Sequence, residues 1–148
     1  MAHRNEHTVE IERPPDAVFP WLYLPDRRLR WMQVLVRAEQ VDDGEAGLGT
    51  RFRDAFEERG HRFDLDTEIV EWEPGRRLAT SIRSNGFTST ARQSLEDLGG
   101  RTRLTTTLET EYTSRLAKLM AGVVTSHAQK QLERDMTLLK ELVESESA

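Results

Sequence analysis

The chain opens on alternation. In residues 7–13, Thr8, Glu10 and Glu12 are polar while Val9 and Ile11 are apolar, the period of a half-buried strand. Pro14-Pro15 ends it. Asp16 can cap the helix that follows, because its carboxylate can accept from free backbone N–H groups. Ala17, Val18, Phe19, Trp21, Leu22 and Tyr23 predict a short, strongly apolar helix. Pro20 falls near its first turn, where a missing N–H matters least. Pro25-Asp26 restarts the chain, and Arg27 to Met32 reads as a second short helix with Leu29, Trp31 and Met32 on its apolar side.

The period then becomes two. Residues 34–42 predict a strand, and Gly44, Gly47 and Gly49 punctuate a turn. In 51–57, Phe52, Asp54 and Phe56 share one face. In 61–73, Phe63, Leu65, Thr67 and Ile69 oppose Asp64, Asp66 and Glu68. Leu78, Thr80 and Ile82 lead to Asn85-Gly86, the strongest short hairpin signal. Ala91, Gln93 and Leu95 precede Gly99-Gly100, and Leu104, Thr106, Leu108, Thr110 and Tyr112 close the series. About six strands at hairpin spacing predict an antiparallel meander with one dry and one wet face. From Ser114, a plausible cap, to about Val143 the period is helical. Leu116, Met120, Val123 and His127 form one stripe, and Leu132, Met136, Leu139 and Val143 form another, rotated by roughly 120°. One long helix with two different surroundings is expected, and the last few residues should fray.

Composition narrows the class. The 148 residues suit a single domain over 1–148. Hydrophobic residues are 36% and charged residues 32%, and the regular apolar alternation argues against disorder. A formal net charge of −5 argues against nucleic acid as a partner. The absence of cysteine excludes disulfides, thiolate nucleophiles and Cys-based metal sites. No apolar run approaches the roughly 20 residues that cross a bilayer, and the N-terminus lacks a signal peptide's apolar stretch. A soluble, cytoplasmic protein without integral membrane association is expected.

A curved sheet of about seven strands cannot bury its concave face alone, and the long helix is the one element large enough to cover it. Thr67, Thr80, Ala91, Gln93 and Thr106 sit on otherwise apolar strand faces and fill a core poorly. The expectation is a mixed-walled cavity of the kind that houses small ligands.

The chain resembles the START/Bet v 1-like superfamily, also called SRPBCC, and within it the bacterial polyketide cyclase/dehydrase-like proteins. The residues that carry this are Ile11-Glu-Arg-Pro-Pro-Asp-Ala-Val-Phe19, Leu29-Arg-Trp31, Gly47-Leu-Gly-Thr-Arg-Phe-Arg53, Ile69-Val-Glu-Trp-Glu-Pro-Gly-Arg-Arg-Leu78 and Leu95-Glu-Asp-Leu-Gly-Gly-Arg-Thr-Arg-Leu104. They span roughly residues 7–143. The resemblance implies an α+β helix-grip fold: a seven-stranded curved antiparallel sheet wrapped round a long C-terminal helix, with two short helices after the first strand. It implies a small, largely hydrophobic ligand (a lipid, an aromatic or a polyketide-like compound) and no cofactor. A homodimer is compatible with it. Enzymatic turnover stays open, because the superfamily shares a fold and cavity without sharing one catalytic set.

The expected cavity lining is Phe52, Asp54, Phe56, Leu65, Thr67, Ile69, Thr80, Ile82, Ala91, Gln93, Thr106, Leu108, Met120, Val123 and His127. His127 has two readings: a proton donor or acceptor for the ligand, or, more commonly, a half-buried histidine bonded to a strand. Asp54, between two phenylalanines, is either a general base or, more commonly, the partner of an arginine. An Asp54–His127 couple would serve a cyclase or dehydratase as acid and base. A third reading is a stress-related module that binds a partner through its convex face. Gln93 can orient a ligand, and Tyr112 reaches toward the rim. Trp21, Tyr23 and Trp31 fit the core or the rim. Gly47-x-Gly49 leads into a strand and is no dinucleotide fingerprint. His3 and His7 lack metal-site spacing, so no metal is expected. Arg27-Arg28 and Arg76-Arg77 read as solvated surface.

Overall fold

The structure, a computed structural model, describes residues 3–58, 60–119 and 121–146, with the backbone alone for Ala121 and Val123. Strand β1 (His3–Ile11) is followed by three short helices, α1 (Pro15–Val18), α2 (Pro20–Tyr23) and α3 (Pro25–Trp31). Six strands follow: β2 (Leu35–Gln40), β3 (Arg51–Glu58), β4 (His61–Glu73), β5 (Arg77–Ser84), β6 (Phe87–Asp97) and β7 (Thr102–Tyr112). Helices α4 (Arg115–Leu119) and α5 (Ala121–Ser145) complete the chain. The seven strands form one sheet in the order β1-β7-β6-β5-β4-β3-β2, with every neighbouring pair antiparallel. This is the helix-grip architecture.

Three local expectations are corrected. The single apolar helix over Ala17–Tyr23 is two four-residue helices, each opening on a proline at its first position. Pro20 has no N–H to continue the first, so a new helix starts there. Asp16 lies inside α1 and makes no cap; Pro14 occupies the N-cap position with no side-chain bond. Strand β1 starts at His3 rather than near residue 7, because β7 pairs with it as far as His3↔Thr110.

Turn chemistry is as the sequence implies at Asn85-Gly86: Gly86 sits at φ 94°, a conformation open chiefly to glycine. A bulge at Val70 shifts the register between Ile69 and Glu71. One extra residue reverses the alternation, so Trp72 joins the inward face beyond Ile69. There it stacks edge-on against Phe19 and Tyr23, with ring centroids 5.3 and 5.0 Å apart.

The core fills one end of the concave face. Met136, Leu139 and Val143 of α5, spaced to share one helical stripe, pack with Ile11, Leu78, Leu95 and Leu104 of the sheet. Val18, Trp21, Leu22 and Trp31 of the short helices belong to the same cluster, and the Trp31 indole N–H donates to the Trp21 carbonyl at 2.9 Å. Polar clamps fix this end. Asp135 accepts from the Gln33 backbone N–H at 3.1 Å, and Glu144 accepts from that of Glu12 at 2.8 Å. No helix of the described residues is long and apolar enough to cross a membrane.

Candidate ligand site

Strand register sorts the inward side chains into rows that cross the sheet. The deepest row, Leu95–Leu104–Val9, belongs to the core or packs on it. Next comes Leu78–Gln93–Thr106–His7. Beyond it lie Ile69–Thr80–Ala91–Leu108–Asn5, then Phe52–Thr67–Ile82–Ser89–Thr110–His3. Phe56 and Phe63 face each other further out.

Exposure changes along this face. Leu78, Leu95 and Leu104 are buried, whereas Thr80, Ile82, Ala91, Gln93, Leu108 and Phe56 are only half-buried although they point inward. Phe63 is 47% exposed, and on α4 Leu116 and Leu119 are 69% and 80% exposed. The helix therefore covers the far end of the concave face without filling it, and the hollow opens toward Phe63 and α4.

The roof of the hollow is tethered on both sides. Asn5 on β1 donates to the Thr125 carbonyl at 2.9 Å and to Gln129 Oε1 at 3.1 Å. His127 Nε2 bonds Glu58 on β3. Residues 125 and 127 are about 200° apart around a helix, so the two tethers grip opposite flanks of one turn. Strands five places apart in the sheet order thus touch the same turn of α5, which measures how far the sheet is curled.

Asp54 and His127 both have partners, and they are not each other. Asp54 is 1% exposed and takes a two-point ion pair from Arg28 of α3, at 2.6 and 3.2 Å. The guanidinium also lies 5.5 Å from the Phe52 ring centroid. His127, half-exposed at the mouth, is held by Glu58, four residues further along β3 than Asp54, about 13 Å at strand rise. The sequence reading of Arg28 as solvated surface is corrected: it is buried. Its spacing from Trp31, three residues on, could have placed it on the inner side of α3. Glu58 was missed as well, and alternation with Asp54 and Phe56 was its available signal.

Of the remaining expected lining, Phe52, Leu65, Thr67, Ile69 and Thr106 are buried on the inward face. Thr67 and Ile69 flank the hollow's deeper end, and Leu65 backs Asp54 across β3 and β4. Met120 and the Val123 side chain lie outside the described residues. Burial pushes the Asp135 carboxyl up, against the hydrogen bonds from Gln33 and Gln131. A groove of about 570 Å³ between Gln33 and the outer side of α5 is a different feature, walled by Lys130, Glu133, Arg134 and Glu141.

A curved antiparallel sheet gripping a long helix, with half-exposed side chains on its inward face, defines the fold class. The chain belongs to the family described as polyketide cyclase / dehydrase and lipid transport, which matches residues 2–144, within the START/Bet v 1-like superfamily. No curated protein matches it significantly. Among solved structures it is similar to TTHA0849 from Thermus thermophilus, with a TM-score of 0.83 at 20% identity, covering 99% of this chain and 100% of that one. It is similar to the Zhui aromatase/cyclase from Streptomyces sp. R1128, with a TM-score of 0.80 at 14% identity over 97% and 94% of the two chains. Ara h 8.0201 aligns with a TM-score of 0.71 at 16% identity over 99% and 100%. At these identities the likeness is one of fold.

Proposed function

We propose that this protein binds a small, largely hydrophobic molecule (a lipid, an aromatic or a polyketide-like compound) in the hollow between the sheet and α5. One observation carries the reading: Ile82, Ala91 and Leu108 face inward yet stay half-exposed, beside Leu78 and Leu104, which are buried. Apolar surface left wet inside a fold gains about 25 cal/mol per Å² when a guest covers it, before the costs of ordering. The family description and the fold shared with an aromatase/cyclase support the same ligand class. Phe56, Thr80, Ile82, Ala91, Gln93 and Leu108 are the proposed contacts.

Titration with 2-methylnaphthalene, followed by tryptophan fluorescence, tests this. Saturable one-to-one binding is expected, and Ala91→Phe should abolish it by filling the hollow from its floor. No binding by the wild-type chain, or an unchanged affinity in Ala91→Phe, would contradict the proposal.

A further inference from the structure

The row Gln93–Thr106–His7 differs from its neighbours. Its members are opposed residues on three adjacent strands, Gln93↔Thr106 and Thr106↔His7. Opposed side chains on one face have Cβ atoms about 5 Å apart. Polar groups further along the inward face of β6, β7 and β1 are paired with each other or with the helix. Ser89 and Thr110 hydroxyls share a bond of 2.5 Å, and Asn5 bonds α5. In the row itself, among the described residues, no side-chain hydrogen bond involves Gln93, Thr106 or His7. Thr106 is 6% exposed, and its hydroxyl is buried with no partner. Among the described residues, the other buried hydroxyl in that condition is Thr125 on α5, whose carbonyl takes the Asn5 amide. Asn5 is two residues from His7 on the same face of β1. One unsatisfied hydroxyl thus lies on β7 beside β1, and the other on the turn of α5 that β1 tethers.

A buried hydroxyl left unpaired loses its water without a replacement, and such groups are expected to have partners. We infer that this row is the polar subsite of the hollow, and that it takes the hydroxyl or carbonyl oxygen of an uncharged ligand whose apolar body lies toward Ile82, Leu108 and Phe56. The inference rests on the ligand-binding reading above and specifies its chemistry. Gln93 presents a donor and an acceptor, a threonine hydroxyl both, and a neutral imidazole one of each. That set suits an alcohol, phenol or ketone. It suits a carboxylate or phosphate less well, because none of the three side chains carries the fixed positive charge that an arginine or lysine would supply. His7, passed over as a metal ligand, is the member that only the pairing of the first strand with the last brings into place.

Three probes of one shape separate the alternatives: 2-naphthol, 2-methylnaphthalene and 2-naphthoate, titrated against wild type, Thr106→Val, Gln93→Met and His7→Phe. In Thr106→Val, 2-naphthol should bind about tenfold more weakly, while 2-methylnaphthalene stays within about twofold; Gln93→Met should weaken 2-naphthol by several-fold more than it changes 2-methylnaphthalene. His7→Phe should weaken 2-naphthol selectively too, and 2-naphthoate should be the weakest ligand of the wild type. The Gln93 side-chain amide resonances should shift with 2-naphthol and not with 2-methylnaphthalene. Thr106→Val should melt no lower than wild type, since it removes an unsatisfied hydroxyl. A lowered melting temperature would reveal a structural partner and overturn the subsite, as would an unchanged 2-naphthol affinity across the variants or tight 2-naphthoate binding. If neither 2-naphthol nor 2-methylnaphthalene binds the wild type, the hollow itself fails and the subsite with it. If both bind equally well everywhere, the hollow stands and only the subsite fails.

Discussion

The two ends of α5 do different work against the same sheet. Toward the C-terminus, Met136, Leu139 and Val143 are buried against strands and short helices. Toward the N-terminus, the helix touches its surroundings through Asn5 and Glu58, polar contacts on its flanks, and the inward strand residues beneath it stay partly wet. The contrast recurs within β7. Leu104 and Leu108 share a face four residues apart, yet the first is fully buried and the second is not. Stability is concentrated at one end and vacant apolar surface at the other, so a guest can be accommodated without opening the core.

Breaking the closed end should have the largest consequence. Asp54→Ala leaves the Arg28 guanidinium buried without its partner and should cost about 3–5 kcal/mol in urea denaturation. A paired Arg28→Met, Asp54→Leu replacement should recover most of that loss, because removing both charges avoids the uncompensated one.

The leucine pair sharpens the comparison directly. Leu104→Ala should cost about 3 kcal/mol through lost transfer energy and a new cavity. Leu108→Ala should cost about 1 kcal/mol, because its side chain already faces a hollow. Equal losses would mean that the far end is as tightly packed as the core.

A smaller effect is expected at the mouth. Glu58→Gln exchanges a half-exposed partner of His127, and such pairs contribute about 0–1 kcal/mol. Its stability change should be slight while ligand exchange, followed by stopped-flow fluorescence, becomes faster. A loss comparable to that of Asp54→Ala would make the mouth a structural element instead.

The smallest change involves Asp135, whose carboxyl is raised by burial. The folded state therefore binds its proton more tightly than the unfolded chain does. This contribution is fully present below the ordinary aspartate range and is lost as pH rises through the raised folded value. Asp135→Asn can still accept from Gln33 and Gln131 through its amide oxygen. It should be more stable at neutral pH by on the order of 0.5 kcal/mol and should lack that decline in pH-dependent melting.

Local patterns explain what could be read in advance. The alternation over residues 61–73 coincides with β4, and Asn85-Gly86 turns between β5 and β6. The proline breaks were visible too, though the second proline's power to start a new helix was underestimated. The expected lining residues of β3 to β7 share the inward face because strand parity is a nearest-neighbour property. The partners of Asp54 and His127 were not legible. Arg28 is 26 residues from Asp54 and Glu58 is 69 from His127, and no periodicity links positions so far apart.

The order of the strands, the face most strand residues present and the family were therefore set by sequence alone, since each depends on short-range period, turn chemistry and spacing. Tertiary structure decided the rest. It extended the sheet by joining β1 to β7, which set His7 beside Thr106. It also drew Arg28 onto Asp54 and packed one end of α5 while leaving the other above open space. Those outcomes depend on which distant surfaces meet and how fully they fill the volume between them, and neither quantity is carried by any single stretch of chain.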